Sequence, residues 1–87
     1  MNLSLMIWYV CRLHRVRMVH LYRAVDDPAY DELRALLCQI GHTICGASIP
    51  ELAQTLNMED AAVRAALRRE TPTLPQIIHE CEVALCR

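Results

Sequence analysis

The chain has 87 residues, 54% of them hydrophobic, and its four aromatic residues include no Phe. This length suits one domain, which buries roughly 60 to 65% of the surface its unfolded form exposes. With two Gly and four Pro, the composition excludes a multidomain enzyme, a disordered chain and a turn-rich all-β fold.

The nine basic residues are all Arg, set against ten Asp and Glu, for a net charge of −1. Their distribution is uneven. Residues 1–25 carry Arg12, Arg15, Arg17 and Arg23 and no acid, whereas residues 26–87 carry five Arg and all ten acids. Such a split marks either a basic arm for nucleic acid or a basic segment that folds back on an acidic body. A sequence pI of 6.4 is low for a domain that wraps nucleic acid on charge alone.

No segment reaches the ~18 apolar residues of a transmembrane helix, and the early arginines follow the apolar run Leu3 to Cys11, the reverse of a signal peptide. The expectation is a cytoplasmic protein with no membrane partner. Five irregularly spaced cysteines also suit a reducing compartment.

In chain order, residues 3–25 read as a first helix, although Ile7-Trp8-Tyr9-Val10 alone would also suit a strand. The polar residues of this segment do not gather on one side. Burial on two sides, against the domain and against a second copy, accounts for that pattern. The segment is therefore expected to be an oligomerisation arm that makes a homodimer through residues 3–25, with residues 26–87 forming the main domain. His14 and His20 lie within it and read as surface or interface residues.

A second helix is expected from Pro28 to Ile44, with Asp27 as N-cap and Pro28 in its first position. Leu33, Leu36, Leu37, Ile40 and Ile44 form its core face, and Gly46 stops it. Ser48-Ile49-Pro50-Glu51 is a capping box that opens a short third helix with Leu52, Ala53 and Leu56 inward. Asn57 suits the left-handed turn that ends it. A further helix follows with Val63, Ala66 and Leu67 inward, closing before Thr71-Pro72. Thr73-Leu74-Pro75-Gln76 reads as a second capping box, opening an amphipathic last helix on Leu74, Ile77, Ile78, Cys81, Ala84 and Leu85. The expected fold is all-α, with four to five helices and no β-wing.

Residues 49–67, with Ala53 where two backbones approach, Asn57 at the turn and Leu52, Leu56, Met58, Val63 and Ala66 at apolar positions, resemble the helix-turn-helix of bacterial transcription regulators. The resemblance implies a tri-helical core and a recognition helix, about residues 59–70, that enters the DNA major groove. Arg64, Arg68 and Arg69 would then carry the DNA contact, with Gln54 assisting. Glu59 and Asp60 depart from that pattern by facing the phosphates. The alternative use of the same core is a protein-binding adaptor or inhibitor with an Ala-rich packing face.

Cys38, His42 and Cys45 share a stripe on the side of their helix away from its Leu/Ile face, and His79 with Cys86 share a face of the last helix. These are zinc-compatible residue types, but no Cys-x2–4-Cys knuckle accompanies them. Buried or interface thiols are the expected reading, with Cys81 in the core and no metal or cofactor. No Gly-rich phosphate loop, nucleophile elbow or metalloprotease His-Glu pattern is present, so no enzymatic activity is expected.

Overall fold

Every segment with helical periodicity is helical in the structure, a computed structural model that describes residues 1–23 and 27–85. The helices are α1 (Leu3–Leu13), α2 (Met18–Arg23), α3 (Asp31–Thr43), α4 (Ile49–Leu56), α5 (Asp60–Arg68) and α6 (Leu74–Leu85), with a 3-10 turn at Pro28–Tyr30 before α3. There is no strand among the described residues. The fold is all-α as expected, with one helix more than the sequence suggests.

The extra helix comes from a break in the first segment. The Arg15 N–H bonds Arg12 O at 3.1 Å, the Val16 N–H bonds Cys11 O at 2.9 Å, and Arg15 has φ +55°. This is a Schellman termination, in which the residue after the left-handed position packs back on the last turn. Val16, partly buried against the core, is that residue. Arginine at a left-handed position gives no sequence signal, which is why the break is not foreseen. Residues 24–26, the end of the expected first helix, lie outside the described residues.

Asp27 does not cap an α-helix. Its carbonyl accepts the Tyr30 N–H at 3.1 Å, closing the 3-10 turn, and α3 begins three residues after Pro28. From there Leu33 to Gly41 are nine consecutive buried residues. α3 packs against α1, α4, α5 and α6, so burial on all sides replaces the single expected core face. Ile44, placed on that face, is only partly buried. Gly41 allows the closest approach: a Cβ there would sit 2.8 Å from Leu52 Cδ2 and 3.0 Å from Leu3 Cδ1.

α4 and α5 follow their local signals. Ser48 Oγ accepts the Glu51 N–H at 3.3 Å, and Asn57 ends α4 with φ 55° and ψ 49°. Leu52, Ala53, Leu56 and Val63 are buried. In α6 only Cys81 is fully buried; Leu74, Ile77, Ile78 and Leu85 are half-buried and Ala84 is exposed. At its start, Thr73 gives its backbone carbonyl to the Ile77 N–H.

Two left-handed positions carry opposite residue types and give a paired prediction. A Cβ at Gly46 (φ +67°) meets nothing within 4 Å, so Gly46→Ala tests backbone strain alone and should cost about 1 kcal/mol. Arg15→Gly should stabilise by about 0.5–1 kcal/mol. Urea unfolding followed by circular dichroism checks both signs.

Candidate functional site

The site centres on α5 and on the two helices that hold it. α3, α4 and α5 pack pairwise, and α4 and α5 are joined by Asn57, Met58 and Glu59. The three helices are mutually packed, with a three-residue turn between the last two. The turn depends on Asn57. Its left-handed backbone ends α4, the Met58 N–H returns to Ala53 O at 2.8 Å, and its Nδ2 donates to Tyr22 O at 3.1 Å.

α5 seats Val63 and Ala66 in the core and leaves Ala61, Ala62, Arg64, Ala65, Arg68 and Arg69 exposed. Arg64 and Arg68 are one turn apart, about 6 Å along the axis. None of Arg64, Arg68 and Arg69 forms an ion pair among the described residues. Gln54 is exposed on α4. Glu59 is the N-cap residue of α5 and Asp60 lies in its first turn. There the two carboxylates favour the helix dipole while repelling any phosphate at that end.

The carboxyl end of α5 is held by a residue the sequence reading missed. Gln39, 5% exposed on α3, donates through Nε2 to Ala66 O at 3.0 Å and to Arg69 O. Ala66 O also accepts the Arg69 N–H at 3.2 Å, whereas Arg69 O lies past the helix end, where carbonyls lack an intrahelical partner. Arg34, 3% exposed, does similar work for α2. It donates to Leu21 O at 3.2 Å and Asp27 O at 3.3 Å, approaches Asp31 Oδ1 at 3.5 Å, and lies over the Tyr30 ring at 5.9 Å. The available signal was two polar residues five apart inside an otherwise apolar run. Beside α5, a cleft of about 250 Å³ runs between it and α3, floored by Ala35, Met58, Ala62, Ala65 and Ala66.

The cysteine and histidine stripe is not brought together. Cys38 is fully buried, as expected of a buried thiol, even though it lies off the Leu/Ile face, because α5 and the turn cover that side of α3. Its Sγ–H points to Met58 Sδ at 3.9 Å. His42 is exposed and donates from Nδ1 to Ala47 O at 3.1 Å. No group of three or more His, Cys, Asp or Glu is placed to hold a metal among the described residues; Cys86 lies outside them. Cys11, Cys38, Cys45 and Cys81 form no disulfide among the described residues. Burial pushes the Cys11 thiol up and the Cys38 thiol up to about 11. Tyr22 is also raised, first by burial and then by its proximity to Cys11.

No helix among the described residues is long and apolar enough to cross a membrane. No protein-family model, curated protein or solved structure matches the chain.

Because the folded protein disfavours the Cys38 thiolate, the unfolded chain releases that proton first as pH rises. The Cys38 contribution to stability should therefore be lost between pH 9.0 and about 11, a share of about 3 kcal/mol, with Cys11 and Tyr22 adding to the alkaline fall. Urea unfolding across the alkaline range should show this slope, and Cys38→Ala should remove its share.

Proposed function

We propose that the chain is a small, non-enzymatic DNA-binding regulator that presents α5 to the major groove. The observation that carries this reading is the exposed Arg64 and Arg68 on the outer side of α5, with exposed Arg69 just past its end, none in an ion pair among the described residues, on a helix whose inner side is fixed by α3 and α4. Guanidiniums one turn apart suit guanine edges or successive phosphates, and Gln54 on α4 is available for a backbone contact. The exposed Ala61, Ala62 and Ala65 beside them allow close approach and methyl contacts. Five irregularly spaced cysteines support a cytoplasmic, reducing setting.

A second reading has its own observation. The Ala-lined cleft between α3 and α5 would accept a helix or extended segment of a protein partner, as small side chains permit close backbone approach. The chain would then be an adaptor or inhibitor.

The two readings differ in salt response. Binding to genomic DNA fragments should weaken steeply as salt rises, since neutralised phosphates release counterions. Arg64→Ala and Arg68→Ala should each weaken binding by about 1–3 kcal/mol if they read a base, or lower the salt slope by about 1 if they meet phosphate. Circular dichroism should be unchanged. Absence of DNA binding at low salt, with the fold intact, overturns the DNA reading. Ala62→Glu, placed in the cleft, should abolish capture of a stoichiometric protein under the adaptor reading.

A further inference from the structure

Where α1 gives way to α2, the chain bends around an open groove of about 530 Å³, lined by Arg12, Arg15 and Arg17 together with Trp8, Met18 and Val19. That volume lies within the ~300–1,000 Å³ range of small-ligand sites. The groove follows from the break in the first helical segment. In an unbroken helix Arg12 and Arg17, five residues apart, would point about 140° from each other. The left-handed residue at Arg15 and the restart at Met18 bring both into one lining.

The charge in this lining has one sign. It holds three arginines and no carboxylate among the described residues, and Arg12, Arg15 and Arg17 form no ion pair among them. Like charges gathered without an offset repel one another, and a bound anion removes that repulsion. Arg15 adds an independent sign. Its φ of +55° is a conformation in which glycine rests without strain and arginine does not. Strained backbone of this kind clusters at ligand clamps and active sites. The apolar part of the lining is open as well: Trp8 is 46% exposed and Val19 42%. Arg12 lies over the Trp8 ring at 5.3 Å, which ties one guanidinium to the aromatic surface.

We infer that this groove binds a phosphate ester with a flat apolar body, its phosphoryl oxygens on the guanidiniums and its body against Trp8, Met18 and Val19. The guanidinium fork matches phosphate oxygens bidentately. A phosphate monoester carries about −1.5 to −2 charge near neutral pH, closer to what three arginines offset than a single carboxylate is. The lining has one aromatic ring, which suits one ring-sized body and not a run of stacked bases. The inference does not involve α5 and stands whether or not that helix binds DNA.

The test uses the whole chain with naphthyl phosphate as probe, and naphthol and inorganic phosphate as its two halves. Calorimetry should show one-to-one binding at sub-millimolar concentration, about tenfold or more tighter than either half. The indole N–H resonance of Trp8, the single tryptophan, should shift along the same titration. Arg15→Gly and Arg17→Gln should each weaken binding by about tenfold. The first should do so while raising the urea midpoint, which separates lost binding from lost folding. Trp8→Ala should weaken binding of naphthyl phosphate and leave that of inorganic phosphate unchanged. Arg23→Gln, at an exposed α2 arginine outside the lining, should leave binding unchanged. No binding at millimolar probe, equal binding of naphthol, or an equal loss in Arg23→Gln overturns the inference. So does a Trp8 shift produced by anionic vesicles or a single-stranded oligonucleotide but not by the probe.

Discussion

The structure depends on α3 being enclosed on all sides. Nine consecutive buried residues from Leu33 to Gly41 leave no solvent face on which polar groups can rest, so each polar side chain in the run must find a partner inside. There are two, and both are spent on carbonyls of neighbouring elements. Arg34 serves Leu21 and Asp27, and Gln39 serves Ala66 and Arg69. The helix thus acts as an axle, and its two polar residues fix where the surrounding parts stop. Gly41 sets how near α1 and α4 approach that axle.

This arrangement decides which surfaces remain for function. With Gln39 securing its carboxyl end and Val63 and Ala66 buried, α5 has a fixed inner side and an outer side of alanine and arginine. With Met6, Ile7, Val10 and Cys11 in the same core, α1 is an integral part of the domain, and Ser4, Leu5, Trp8, Arg12 and Leu13 are left exposed. The two outward surfaces differ in chemistry. One is cationic with small side chains, and the other sets large apolar side chains around Arg12.

Much of the fold was legible in the sequence where the signal is local. The Ser48 cap, the left-handed Asn57 and the inward positions of α4 and α5 are written in residue type and spacing, and they locate the tri-helical unit. What periodicity does not encode is how many neighbours surround a helix. The Leu and Ile residues of α3 define one apolar face, yet Cys38 on another face is equally buried because a second helix covers it. For the same reason Arg34 and Gln39 drew no notice as internal residues. The break at Arg15 was hidden for a different cause: a left-handed arginine is stabilised by the packing of Val16, a tertiary event. For the α5 surface the sequence indicated which residues point outward; it did not show that Gln39 secures the end of the helix that carries them.

The last two carbonyls of α2 before Arg23 have a shared fate. Leu21 O is taken by Arg34 from α3, and Tyr22 O by Asn57 from the turn between α4 and α5. The N-terminal layer is thereby riveted to the tri-helical unit from two directions, through donors that do not titrate in the physiological range. Detaching α2 would therefore break a bond to α3 and a bond to the turn before α5 at the same time.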